Sequence, residues 1–126
     1  MRLILKLALA STLAFAGWAQ ALTIAPYSAE AFAKAQSAGA PVALHFHASW
    51  CPTCRAQAQV LDMIKGEPGL DMTVLVADYD KESQLKKEHK VRAQSVLISF
   101  RGKAEKARQT GGTSPEDIRA VLRAAL

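Results

Sequence analysis

The stretch VALHFHASWCPTCR, residues 42–55, decides the fold of this 126-residue chain because two patterns meet in it. Apolar residues alternate with others from Val42 to His47, which is the period of a β-strand. A helical segment then opens at Trp50-Cys51 and runs to about Ile64, with a proline in its first turn, where proline is tolerated. The sequence therefore predicts a strand, a tight junction and a helix that carries two cysteines at its start.

The position of the two cysteines indicates redox chemistry. A thiol at a helix start meets unpaired backbone N–H groups and the positive end of the helix dipole, which favour its thiolate. A thiol of pKa about 8.5 is only about 3 per cent ionised at pH 7, whereas one lowered to about 7 is half ionised. Cys54 follows one turn later on the same side, so it can attack a mixed disulfide at Cys51. We therefore predict that Cys51 is the attacking thiol and Cys54 the resolving thiol.

A purely structural disulfide between these cysteines is the alternative. In the loop-entropy model a four-residue loop constrains the unfolded chain by only about 2 kcal/mol, against about 3 kcal/mol for fifteen residues. A disulfide between the two cysteines would therefore stabilise the fold only weakly, and a redox role is favoured.

The first residues carry the pattern of a secretory signal peptide. Positive charges at Arg2 and Lys6 precede a Leu- and Ala-rich run from Leu7 to Ala19, and Ala19-Gln20-Ala21 is a small-x-small cleavage signal. The run is shorter than the about 20 apolar residues that span a bilayer, although an uncleaved, tilted anchor is an alternative. We predict a signal peptide over residues 1–21, cleaved after Ala21.

Residues 22–126 are then predicted to form one domain of a periplasmic or secreted protein, with no stable membrane anchor after cleavage. Disulfides persist in that compartment, and no third cysteine competes for pairing. Cleavage removes two of the sixteen Lys and Arg residues, which leaves fourteen against eleven Asp and Glu, a net charge of +3. This charge is too mild to indicate a nucleic-acid partner.

The remaining patterns alternate between helix and strand. Serine caps, glycine breaks and apolar periods mark their boundaries. The arrangement predicts a mixed sheet covered on both faces. The predicted elements are a helix over Ser28–Ala38, strands over Met72–Ala77 and Val96–Phe100, a helix over Lys81–Lys90, a hairpin turn at residues 101–103, a strand near Ala104–Gln109, and a C-terminal helix capped by Ser114.

Residues 44–55 resemble the active-site segment of the thioredoxin family, an apolar strand followed by Trp-Cys-x-x-Cys-Lys/Arg. The similarity continues through Val74–Asp80, Val91–Phe100, Gly111 and the last helix, so it covers essentially all of residues 22–126. It implies an α/β thioredoxin-like fold, with a mixed central sheet of 4–5 strands and helices on both faces. The Trp-Cys-Pro-Thr-Cys-Arg-Ala string is particularly similar to the exported thioredoxin-like reductases of cytochrome c maturation, which are longer.

The resemblance implies a protein-disulfide oxidoreductase, more similar to reductants than to strong oxidants. Its partners would be protein thiols and disulfides and a second redox protein. We expect a monomer with no cofactor and no resident metal ion. The alternative is a non-catalytic thioredoxin-like module that binds a partner or a soft metal ion, for which the two histidines and two cysteines of residues 45–54 offer ligands.

The resemblance also implies which residues contact a substrate, namely Trp50, Pro52, Thr53, Gln94 and Ser95. An aromatic residue at the position of Trp50 walls the site in the family, with simple core packing as its alternative role. Ser95 aligns with the family's cis-proline, which faces the cysteines. A non-proline cis bond costs about 3 kcal/mol, so we expect a trans peptide at Ser95.

His45 aligns with a buried acidic residue that helps to move the proton of the resolving cysteine in thioredoxins. An imidazole could do this near neutral pH, so His45 is a candidate catalytic residue. His47 lies on the same face of the strand. The alternative is that both histidines are hydrogen-bonded strand residues without a role in proton transfer.

Overall fold

The computed structural model describes residues 21–126, so the signal peptide predicted over residues 1–21 lies outside the described residues except for its last residue. Nine elements follow one another along this part of the chain. They are β1 (Thr23–Pro26), α1 (Ala29–Ser37), β2 (Pro41–His47), α2 (Pro52–Ile64), β3 (Thr73–Asp78), α3 (Ser83–Glu88), β4 (Val96–Arg101), β5 (Ala104–Thr110) and α4 (Pro115–Arg123).

The strands form one mixed sheet in the order β1-β3-β2-β4-β5. Strand β3 runs parallel to both β1 and β2, whereas β4 runs antiparallel to β2 and β5. The predicted mixed sheet is therefore confirmed, with five strands. Because β2 is the central strand, the junction that follows it lies midway along the end of the sheet at which β2 terminates.

Side chains of β2 alternate between two separate cores, as the period of two predicts. Ala43 faces the core that α2 and α4 cover, where it joins Leu61 and Ile118. Leu44 and Phe46 face the opposite core, which α1 and α3 cover. Helices thus cover both faces, and His45 shares the α2 side with Ala43.

The predicted helix over residues 81–90 is too long, because α3 covers only residues 83–88. The carboxylate of Asp78 accepts hydrogen bonds from the backbone N–H groups of Asp80 and Lys81 at 2.9 and 3.3 Å, which holds a turn before the helix. Lys90 has φ +54°, outside the helical region, and ends it. Within residues 21–126 no helix has the length and apolarity needed to cross a membrane.

Candidate active site

Cys51 is the N-cap of α2 and sits where β2 passes into the helix. Its backbone is extended (φ −92°, ψ 112°), and its Sγ accepts a hydrogen bond from the backbone N–H of Cys54 at 3.1 Å. Pro52 occupies the first turn, where its missing N–H costs no hydrogen bond. Both cysteines are buried free thiols, so the structure represents the reduced protein. The predicted placement of the pair at the helix start is confirmed.

Ser95 lies in the loop before β4 and faces both sulfurs. Its Oγ is 3.2 Å from Cys51 Sγ and 3.0 Å from Cys54 Sγ, and the residue is only 3% exposed. No cis peptide bond occurs among residues 21–126, so the peptide at Ser95 is trans as expected. Its φ of +65° is instead in the left-handed region that serine seldom adopts. A hydroxyl therefore stands beside the cysteines where the resemblance places a proline.

The two thiols have different electrostatic surroundings. Burial alone would raise the pKa of Cys51, but hydrogen bonds from the Cys54 thiol, the Ser95 hydroxyl and the backbone N–H groups of residues 53 and 54 outweigh it, and the pKa is lowered. Burial raises the pKa of Cys54, and the hydrogen bond with Cys51 adds to that rise. The pKa of Cys51 is thus lowered and that of Cys54 raised, and the roles of attacking and resolving thiol stay a prediction.

Gln57 joins three separate segments around the cysteines. Its Nε2 donates to the backbone carbonyls of Ser95 at 3.0 Å and Gly112 at 2.9 Å, and its Oε1 lies 2.9 Å from His45 Nε2. Gln57 is not among the site residues that the sequence predicts. The available signal was a glutamine three residues after Cys54, on the stripe of α2 that is otherwise buried and largely apolar.

His45 is buried and donates its hydrogen bond to Gln57 rather than to a sulfur. Both N–H groups of Gln57 are committed to carbonyl oxygens, so its Oε1 must accept from His45 Nε2–H. The other ring nitrogen, Nδ1, keeps a lone pair and has no hydrogen-bond partner within residues 21–126. Burial lowers the pKa of His45 to about 4, although the Gln57 hydrogen bond opposes this. The imidazole is therefore neutral at neutral pH.

No hydrogen bond joins His45 to either cysteine within the described part of the chain. Its role in proton transfer remains a prediction. His47 is half-buried beside it, with the ring centroids 5.6 Å apart. Across residues 21–126, no group of three or more His, Cys, Asp or Glu residues is arranged to hold a metal ion.

The remaining predicted substrate contacts lie around the cysteines at different depths. Trp50 is 56% exposed, and its indole N–H donates to Asp80 Oδ2 at 2.7 Å, so it is not a core residue. Pro52 is exposed, whereas Thr53 and Gln94 are half-buried. The residues next to Cys51 and Ser95 in the chain are therefore accessible, and a substrate could contact them beside the buried sulfurs.

Comparison with known proteins identifies related sequences. Residues 23–124 match the family model described as Thioredoxin. The bifunctional thioredoxin reductase/thioredoxin of Mycobacterium leprae (strain TN) is 33% identical over 81 residues, which cover 64% of this chain and 18% of that protein. Thioredoxin 2 of Plasmodium falciparum (isolate 3D7) is 27% identical over 82 residues, which cover 65% of this chain and 52% of that protein. The chain thus spans about half or less of the length of these relatives.

Solved structures share the fold. The crystal structure of Trxlp from Edwardsiella tarda EIB202 superposes with a TM-score of 0.74 and 35% identity, over 79% of this chain and 98% of that chain. The thioredoxin of Malassezia sympodialis (Mala s 13) superposes with a TM-score of 0.68 over 81% of this chain and 90% of that one. At 21% identity, the second likeness concerns the fold alone. The predicted thioredoxin-like fold is confirmed.

Proposed function

Because this chain belongs to the thioredoxin family of thiol-disulfide oxidoreductases, we propose that it exchanges disulfides with protein substrates through Cys51 and Cys54. One observation carries the proposal. Cys51 Sγ accepts hydrogen bonds at a helix N-terminus, and the second thiol lies one turn away beside the same serine hydroxyl. This arrangement stabilises one thiolate for attack and keeps the other thiol protonated until it is needed.

The reaction then has two exchange steps. The Cys51 thiolate attacks one sulfur of a substrate disulfide, and the other substrate sulfur leaves as a thiolate. Cys54 next attacks Cys51 Sγ in the mixed disulfide, and the second substrate sulfur leaves. Two electrons pass from the protein dithiol to the substrate, and the Cys51–Cys54 disulfide remains. A second redox protein would return the chain to the dithiol form.

We propose the reducing direction for this cycle. The Pro52-Thr53 dipeptide between the cysteines is similar to that of the exported reductases named above, which supports this choice. A glutathione redox series on the purified protein gives the potential directly. A value near the about −270 mV of thioredoxin supports a reductant, whereas one near the about −120 mV of strong oxidants contradicts it.

We also propose that the protein acts outside the cytoplasm, as a monomer. The pattern of residues 1–21 supports export. Leu22 is buried and β1 begins at Thr23, so cleavage after Ala21 would leave the described fold whole. N-terminal sequencing of the protein from fractionated cells tests the cleavage and the compartment together. A chain recovered from the cytoplasm with Met1 still in place would overturn the export proposal.

The activity is tested with the mature chain, residues 22–126, after reduction with dithiothreitol and removal of the reductant. We expect it to reduce the disulfides of a protein substrate such as insulin. The Cys51→Ser variant should be inactive, because it removes the attacking sulfur. A folded wild-type protein that transfers no electrons in this assay would instead fit the alternative, a non-catalytic binding module.

A further inference from the structure

The Ser95 hydroxyl bridges the two sulfurs of the candidate site. With one proton and two lone pairs, a hydroxyl can donate to one partner while it accepts from another. Ser95 Oγ lies 3.2 Å from Cys51 Sγ and 3.0 Å from Cys54 Sγ. In the reduced protein it can therefore donate to the Cys51 thiolate, to which the Cys54 thiol also donates, while it stays within hydrogen-bond distance of Cys54 Sγ.

The backbone holds this hydroxyl in place. The N–H of Ser95 donates to the carbonyl of Phe46 at 3.1 Å, and its own carbonyl accepts from the N–H of Gly111 at 2.9 Å and from Gln57 Nε2 at 3.0 Å. Its φ of +65° is an unfavourable conformation for serine, and such conformations persist where surrounding contacts hold them. The backbone of Ser95, which carries the hydroxyl, is thus fixed by contacts with three other segments rather than by the local preference of its own loop.

The resolving step needs an acceptor for the proton of Cys54. The carbonyl of Phe46 is 3.9 Å from Cys54 Sγ and cannot pass a proton onward, because a carbonyl carries none of its own. His45 is hydrogen-bonded to Gln57, and among residues 21–126 no hydrogen bond connects it to the sulfur. Ser95 is the side chain within this range that contacts both sulfurs and carries an exchangeable proton.

We propose that Ser95 relays the proton of the resolving step, from Cys54 to the departing substrate sulfur. The inference rests on the proposed disulfide exchange. Once Cys51 has entered the mixed disulfide it carries no charge, so the Ser95 hydroxyl and the Cys54 thiol are both released from it, and the Cys54 thiol can donate to Ser95 Oγ. Cys54 Sγ then bonds to Cys51 Sγ and the bond between Cys51 and the substrate breaks. The Cys54 proton passes to Ser95 Oγ while the Ser95 proton passes to the leaving sulfur, which departs as a thiol.

The test follows the mixed disulfide in single-turnover experiments with wild-type protein and Ser95→Gly. Glycine suits a φ of +65° and removes only the hydroxymethyl group, so folding should be retained. The reduced protein is mixed with glutathione disulfide, quenched in acid and analysed by mass spectrometry, which separates the glutathionylated chain from the intramolecular disulfide. We expect the mixed disulfide of Ser95→Gly to decay at least about a hundredfold more slowly, the lower end of what lost general acid–base catalysis costs.

A second substrate separates proton transfer from a structural role. The aromatic disulfide 5,5′-dithiobis(2-nitrobenzoate) releases a stable thiolate that needs no proton. The decay of its mixed disulfide should therefore be slowed less by Ser95→Gly than the decay of the glutathione mixed disulfide. Equal losses with both disulfides would contradict proton delivery to the leaving sulfur. An unchanged decay of the glutathione mixed disulfide in Ser95→Gly would overturn the relay as a whole.

Two further variants complete the design. Ser95→Ala also lacks the hydroxyl, and agreement between it and Ser95→Gly assigns the loss to the hydroxyl rather than to the backbone. Ser99→Ala is the matched control, because Ser99 is also buried but its Oγ has no hydrogen-bond partner among the described residues. Its glutathione mixed disulfide should decay at the wild-type rate. If the wild-type protein forms neither the mixed disulfide nor the intramolecular disulfide, the proposed function fails, and this outcome is distinct from a failure of the relay alone.

Discussion

At the scale of single residues, the neutral state of His45 should make the stability of the protein depend on pH. Its pKa is lowered to about 4 by burial, against about 6.5 in an unfolded chain. The unfolded state therefore binds more protons between these values, and stability falls as the pH falls from about 6.5 towards 4. The loss amounts to about 3 kcal/mol when complete. Urea unfolding at a series of pH values measures it.

The matched control for this prediction is the neighbouring histidine. In His45→Asn the free energy of unfolding should change little between pH 6.5 and 4. In His47→Asn it should fall as in the wild type, because His45 is still present. A wild-type stability that stays constant over this range would show that His45 does not remain neutral in the folded protein.

Gln57 should contribute to stability far more than other glutamines of the same helix. Gln57→Leu keeps the size of the side chain but leaves the Nε2–H of His45 without a partner and removes one of the two hydrogen bonds at each of the carbonyls of Ser95 and Gly112. A buried group without a partner costs about 1–3 kcal/mol, so we expect a total loss of about 2–4 kcal/mol. Gln59 is exposed on α2, and Gln59→Leu should stay within about 0.5 kcal/mol of wild type. Equal effects of the two substitutions would contradict the bridging role.

The sequence was sufficient to place Cys51, Cys54 and Ser95 at the site, but it did not reveal Gln57. Cysteine spacing and helix capping are local, so a short stretch of sequence displays them. The partners of Gln57 lie 12, 38 and 55 residues away along the chain, and only the folded sheet brings them together. For the same reason, alignment placed His45 on the correct face but could not show that it is bonded to Gln57.

At the scale of elements, those with local capping signals were predicted within one or two residues. Ser28 Oγ caps α1 by accepting from the N–H of Ala31 at 3.1 Å, and Ser114 caps α4. Strand β1 was not located, because it has four residues at the sheet edge and owes its form to pairing with β3. The predicted turn at residues 101–103 is confirmed, since only two residues separate β4 from β5.

That turn should depend on glycine at position 102. Gly102 has φ +57°, and an added Cβ would lie 3.3 Å from Gly39 Cα and 3.4 Å from the Gln36 carbonyl. Gly102→Ala should destabilise the fold by about 1–2 kcal/mol, the cost of the left-handed conformation for a residue with a Cβ. Gly66→Ala is the control, because in the described part of the chain no atom beyond its own chain neighbours lies within 4 Å of its added Cβ. If both variants unfold at the same urea concentration, the turn does not need a glycine.

At the scale of the whole molecule, the redox state of the cysteine pair and the stability of the fold are linked. Reduction and unfolding form a thermodynamic cycle. If the Cys51–Cys54 disulfide is harder to reduce in the folded chain than in the unfolded chain, the oxidised protein is the more stable of the two forms. A difference of about 30 mV in potential corresponds to about 1.4 kcal/mol of stability. The hydrogen bonds to the Cys51 thiolate favour the reduced form, whereas burial of both thiols opposes its charge.

We expect the oxidised mature chain to be more stable than the reduced chain, because the proposed direction is that of a reductant. Urea unfolding of both forms, with and without dithiothreitol, measures the difference without any substrate or partner. The Cys51→Ala/Cys54→Ala double variant controls for effects of dithiothreitol on the rest of the protein and should show no difference. A reduced form that is the more stable of the two would reverse the assignment, since strong oxidants of this chemistry act through a stabilised reduced state.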